Sequence, residues 1–108
     1  MASDQSFVDY VTGQMAGAGD IIAKKMFGEY GLYANGIFFG VICDNKLFVK
    51  PTAGGRQFIG EVVEAPPYEG AKNSFLIEDQ VEDADWLSEL VTITTAELPP
   101  PKNRKKKK

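Results

Sequence analysis

The sequence predicts an α+β fold: an antiparallel meander of about five strands, with an N-terminal helix and C-terminal helices packed on it. Three observations point there. Apolar residues near the N-terminus recur at helical spacing. The middle of the chain is aromatic and β-branched between closely spaced turn signals. An acidic stretch then leads into a second run with helical spacing. The 108 residues are the size of one domain, which buries about two-thirds of the surface its unfolded form exposes.

Phe7, Tyr10, Val11 and Met15 place an apolar stripe on a first helix of about twelve residues. Ser3 or Asp4 caps it, and Gly17-Ala18-Gly19-Asp20 ends it. Asn35-Gly36 is a strong hairpin signal because both positions accept positive φ, and Asp44-Asn45 is a second two-residue turn. These turns divide the next segment into strands at 21–27, 30–33, 37–43 and 46–50. Residues 37–43 are apolar on both faces apart from Gly40, which places that strand centrally. In 46–50, Leu47 and Val49 alternate with Lys46, Phe48 and Lys50, so one face is expected to meet water.

Pro51 stops that strand, and Thr52 is a good cap for a short helix with Phe58, Ile59, Val62 and Val63 on its apolar side. Gly54, Gly55 and Gly60 each weaken a helix interior by about 1 kcal/mol against alanine. Ala65-Pro66-Pro67-Tyr68-Glu69-Gly70 is a loop, and Ser74-Phe75-Leu76-Ile77 one more short strand. Trp86, Leu87, Leu90, Val91 and Leu98 define a last helix capped by Asp83. The β-branched run Val91-Thr92-Ile93-Thr94-Thr95 opposes it, but the apolar spacing favours helix. Pro99-Pro100-Pro101 closes the folded unit, giving a domain over 1–98 and a Pro/Lys-rich tail over 99–108 that is expected to be disordered.

Composition narrows the chemistry. The chain contains no histidine and a single cysteine, Cys43. An imidazole base, Ser–His or Cys–His nucleophilic pairs, mixed Cys/His zinc sites and an internal disulfide are all excluded. The start, Met1-Ala2-Ser3-Asp4-Gln5, has no basic region or apolar run, and the longest apolar stretch falls far short of the roughly 20 residues a spanning helix needs. A cytoplasmic location is the expectation. The net charge of −3 is divided: residues 1–101 carry six basic and fifteen acidic side chains, a net −9, and the tail carries +6. Blocks this separate mark an interaction tail on a folded body.

The segment Lys25-Met26-Phe27-Gly28-Glu29-Tyr30-Gly31-Leu32-Tyr33-Ala34-Asn35-Gly36-Ile37-Phe38-Phe39-Gly40 resembles the signature of the TfoX (Sxy) N-terminal domain. Lys46-Leu47-Phe48-Val49-Lys50, Pro66-Pro67-Tyr68 and the acidic stretch into a Trp/Leu helix are similar to later parts of that family, so the resemblance spans roughly residues 5–98. The chain departs at Glu29, where the family often has glycine. The resemblance implies a curved antiparallel sheet with flanking helices. It also implies kinship with bacterial competence regulators that work with the cyclic-AMP receptor protein at promoters of DNA-uptake genes. Those regulators carry a second, C-terminal domain, and this chain is expected to be a stand-alone member without it. The resemblance supplies no catalytic residue and no cofactor.

Met26, Phe27, Gly28, Tyr30, Gly31 and Tyr33 form the candidate partner-binding surface. Glycines admit close backbone approach, and tyrosines suit interfaces. The structural alternative is a bulge or bend with aromatics packing the sheet. Lys102, Arg104, Lys105, Lys106, Lys107 and Lys108 form a candidate nucleic-acid-binding tail. It would bind without sequence specificity, with Kd about 10⁻⁴–10⁻⁶ M or weaker and a salt slope of about −5 at most. A plain solubilising terminus is the alternative. Glu78, Asp79, Glu82, Asp83 and Asp85 lack the spacing of an EF-hand and suit a helix start better than a cation site. Pro51-Thr52-Ala53-Gly54-Gly55-Arg56 could cradle phosphate but lacks the P-loop ending; a helix cap is the plainer reading. Cys43 reads as a small buried hydrophobe.

The expected function is that of a regulatory binding module contacting another protein, with no enzymatic activity, no metal and no cofactor. Weak nucleic-acid binding by the tail comes second, and a small-molecule sensor or enzyme third. Pairing of an edge strand with a second copy is left open.

Overall fold

The structure, a computed structural model, describes residues 3–26 and 28–99. Helix α1 (Gln5–Gln14) is followed by a 3-10 turn (Ala16–Ala18), then by β1 (Ile21–Met26), β2 (Glu29–Ala34), β3 (Ile37–Cys43) and β4 (Lys46–Val49). Helix α2 (Ala53–Ile59), strands β5 (Val63–Ala65) and β6 (Ser74–Ile77), a 3-10 turn (Asp79–Glu82) and α3 (Ala84–Ala96) complete the chain. The sheet has six strands in the order β1-β2-β3-β4-β6-β5, every neighbouring pair antiparallel. This is the expected α+β architecture with one strand more.

The turns fold as their residues dictate. Asn35 (φ 52) and Gly36 (φ 86) join β2 to β3, and Asp44 (φ 54) and Asn45 (φ 56) join β3 to β4. Both pairs are left-handed at two successive positions, which matches the twist of a hairpin. Thr52 caps α2 by accepting from the Gly55 N–H at 3.0 Å, and Asp83 caps α3 by accepting from the Trp86 N–H at 3.1 Å. Helix α3 survives its β-branched run because Leu87, Leu90 and Val91 are buried against the core; the Thr92 and Thr95 hydroxyls donate back to the Ser88 and Val91 carbonyls, each at 3.0 Å.

Four expectations need correction. The apolar side of α2 does not reach Val62 and Val63: Gly60, at φ 87, ends the helix, and Val63 begins the unforeseen edge strand β5. Tyr10 leaves the stripe of α1 and is 46 % exposed, while Val8, Val11 and Met15 are buried. Neither capping candidate bonds α1 through its side chain. Asp4 occupies the cap position with its backbone carbonyl accepting from Phe7 and Val8, while the Ser3 hydroxyl accepts from the Asn45 N–H. Finally, β4 does not show an open face to water, since Phe48 is buried on the side opposite Leu47 and Val49.

The core lies between the helices and one sheet face. Leu32, Phe39, Ile42, Leu47, Val49 and Phe75 from the sheet meet Val8, Val11, Met15, Leu87, Leu90 and Val91 from the helices. A β-bulge sets which residues of β3 join them. Leu32 pairs with Gly40 but Tyr33 pairs with Phe38, so Phe39 is the extra residue. Phe39 and Gly40 are both buried on the helix side, and Phe38 and Val41 are left together on the other face. Gly40 is required there, because a Cβ would run into the Phe48 carbonyl oxygen of β4. Gly40→Ala is expected to cost about 3 kcal/mol and to lower the melting temperature by more than about 10 °C, as read by thermal and urea unfolding.

Candidate functional site

The sheet face away from the helices carries the candidate site. Register puts Ile22, Lys24 and Met26 of β1, Gly31 and Tyr33 of β2, Phe38, Val41 and Cys43 of β3, Phe48 of β4 and Leu76 of β6 on this face. Loop 66–73 folds back over it from the far edge. Pro67 and Tyr68 stand over Phe38 and Val41 and divide the surface into two chambers that share these four residues. The larger, of about 530 Å³, runs towards Met26, Glu29 and Cys43. The smaller, of about 350 Å³, runs towards Phe48, Lys50 and Lys72. Tyr68 itself is 58 % exposed.

Local packing flattens the floor. A Cβ on Gly31 would sit 2.8 Å from the Met26 methyl and 3.2 Å from the Phe38 ring, so the glycine exists to let those side chains cross the strand. Tyr33 and Phe38 form a tilted pair with centroids 5.2 Å apart. The Lys24 ammonium lies 5.2 Å above the Tyr33 ring and the Lys50 ammonium 4.5 Å above Phe38, so both rings are held under cations.

One end of the larger chamber is closed by a hydrogen-bonded staple. The Glu29 carboxylate accepts from the Ser3 N–H and from the Asp44 N–H, each at 2.9 Å. The Asn45 N–H donates to the Ser3 hydroxyl at 2.9 Å, and Asn45 in turn accepts from the Asp4 N–H at 2.8 Å. Burial works to raise the Glu29 pKa, but the backbone donor of Asp44 and both donors of Ser3 outweigh it and hold the carboxyl below its ordinary value. Burial, with Glu29 and Asp44 adding like charge, pushes the Cys43 thiol up and keeps it protonated.

The residues singled out from sequence divide. Met26 and Tyr33 lie on the open face. Gly31 is buried beneath its neighbours, and Gly28 (φ 80) forms the turn between β1 and β2. Tyr30 is 8 % exposed in the core, with its hydroxyl donating to the Gln5 side chain at 3.1 Å, and still lines the larger chamber. Phe27 and the tail residues Lys102, Arg104, Lys105, Lys106, Lys107 and Lys108 lie outside the described residues. The phosphate cradle is already filled, since the Gly54 N–H donates to the Glu97 carboxylate at 2.7 Å and the Gly55 N–H to Thr52. Among the described residues no three acidic or thiol side chains gather as metal ligands, and Asp83 serves α3 as its cap. No helix among them is long and apolar enough to cross a membrane.

Sequence reasoning missed Phe38, Val41, Lys50, Tyr68 and the role of Glu29. Two signals were there to find them. A strand apolar on both faces needs a cover on each, and a carboxylate standing where a glycine is usual marks a local bond.

The TfoX N-terminal domain family model matches residues 13–98. The chain belongs to the TfoX N-terminal domain family. It is also similar to an uncharacterized 12.7 kDa protein in the trpE 5′ region of Spirochaeta aurantia, 39 % identical over 107 residues that cover 99 % of this chain and 93 % of that protein. This TfoX-family chain thus shares nearly its whole length with that relative.

The staple yields a pH test. Because Glu29 is depressed when folded, its stabilisation is present in full above the ordinary carboxyl value of 4.5 and is lost as pH falls through the folded value. Glu29→Gln is expected to cost about 1 kcal/mol at neutral pH, the two hydrogen bonds being discounted for partial exposure. The gap from the native protein should close on acidification, as measured by urea unfolding across a pH series.

Proposed function

We propose that this chain is a non-enzymatic regulatory module that acts by gripping another protein with the strapped face of its sheet. The observation that carries this reading is the apolar, aromatic groove left open opposite the helices. Exposed contiguous apolar surface on a small domain marks an interaction site, and tyrosine and phenylalanine beside cations are what interfaces favour. The chemistry of the groove supports recognition over turnover. Its carboxylate Glu29 is held ionised by backbone donors, and its thiol Cys43 is held protonated. A general acid or base works best with a pKa near the operating pH, and both groups are displaced away from it. Kinship with TfoX-type regulators supports a regulatory partner such as a transcription factor, the cyclic-AMP receptor protein among them.

The edges of the sheet are poorer candidates than its face. Strand β1 carries adjacent lysines, Lys24 and Lys25, which discourage further pairing, and β5 has three residues only. Capture of a partner from the source cell by the immobilised full chain, identified by mass spectrometry, is expected to fail with Val41→Asp and to weaken with Tyr68→Ala. Urea unfolding of Tyr68→Ala should stay close to the native protein. A partner retained by both folded variants would remove the sheet face from the account.

A further inference from the structure

The cations of the folded body are unevenly used. Residues 1–101 hold fifteen carboxylates and six basic side chains. Arg56 pairs with Glu64 at 2.7 Å, and Lys46 with Asp44 at 3.7 Å. Lys24, Lys25, Lys50 and Lys72 have no carboxylate partner among the described residues; Lys50, over Phe38, and Lys72 stand in the wall of the smaller chamber, and Lys24 lies over Tyr33 on the same sheet face. Exposed carboxylates stand on the helical side, Asp9 on α1 and Asp85 and Glu89 on α3, and near the larger chamber, Asp44 in its wall and Glu69 beside Tyr68, so the smaller chamber is the cationic end of the groove. A folded body this acidic that sets two unpaired lysines in the wall of the smaller chamber presents, at that end of the groove, a surface complementary to negative charge.

We propose that the groove receives an extended acidic segment of a partner protein, with one bulky apolar side chain seated beneath Tyr68 and carboxylates set on Lys50 and Lys72. This rests on the binding-module reading and names the partner's chemistry. The two chambers adjoin, sharing Phe38, Val41, Pro67 and Tyr68. Alternate side chains of an extended strand are about 7 Å apart, so one can enter the large apolar chamber while the next reaches the lysines of the small one. At the other end no cation is called for, since Glu29 is engaged by Ser3 and Asp44. Charge excludes the chain's own basic tail as occupant. A nucleic-acid strand fits less well, because Tyr33 and Phe38, the rings that would stack on bases, already lie under ammonium groups.

The test is an NMR titration of the ¹⁵N-labelled full chain with the peptide Asp-Asp-Glu-Trp-Asp-Asp and its counterpart with lysine at every acidic position. The acidic peptide is expected to shift the amides of Val41, Cys43 and Gly70, and the lysine peptide to leave them unmoved. Lys50→Glu with Lys72→Glu is expected to weaken the acidic peptide at least tenfold. Both sites are partly or fully exposed, and an unchanged spectrum away from the groove shows that the double variant folds. Shifts confined to residues 102–108, equal response to both peptides, or indifference to the double substitution would overturn the proposal. So would an oligothymidylate moving the same amides more strongly, or self-association abolished by the double variant. Should the peptide fail while partner capture remains sensitive to Val41→Asp, the acidic segment falls and the binding module stands; should both fail, the module falls too.

Discussion

Burial of both faces of β3 is the constraint on which the rest of the molecule depends. A strand of Ile, Phe and Val with no polar side chain loses apolar surface to water on whichever face is left bare. Helices α1 and α3 cover one face. The chain after β4 has to supply the other cover, and it does so with the Pro-rich loop that carries Tyr68 over Phe38 and Val41; its short helix α2 packs on the core side beside α3. The cover is partial. What it leaves is the groove, so the candidate site is the unfinished half of the same burial problem that the core solves.

Much of this was legible in the sequence, because much of it is local. Asn35-Gly36 and Asp44-Asn45 specify their hairpins through backbone preference alone, and Thr52 and Asp83 specify helix starts through one side-chain bond each. The misses share a different cause. Val63 became an edge strand because β6 offered it a partner, a long-range fact. Phe38 and Val41 came to share a face because of one bulge residue, Phe39, which breaks the period of two on which face assignment rests. Tyr30 and Tyr33 looked alike in sequence, yet odd and even positions of β2 go to opposite sides, and only pairing with β3 shows which side the helices take.

Glu29 illustrates how one departure from a family pattern is absorbed. A glycine leaves the start of β2 without a side chain; a glutamate there reaches the N–H groups of Ser3 and Asp44. The bond ties the segment before α1 to the β3–β4 turn, closing one end of the groove. Glu97 does the same for α2 by accepting from Gly54. In both places backbone donors that would attract an anion are already satisfied by the chain's own carboxylates.

The electrostatic consequence follows from that satisfaction. With the helix start and the turn amides occupied from within, the attraction this domain can offer an anionic partner resides in side-chain ammonium groups, and of these Lys50 and Lys72 stand unpaired in the wall of the smaller chamber, with Lys24 on the same sheet face. Their position over aromatic rings is itself informative. A lysine paired with a carboxylate must give up that pair before it can serve a partner, whereas one resting on a ring keeps its ring contact, worth about 0.5–1 kcal/mol when exposed, and gains the new charge in addition. Lys24 and Lys50 are therefore better placed than free lysines: contact with Tyr33 and Phe38 offsets part of the roughly 1.5–2 kcal/mol that holding each long side chain in place costs.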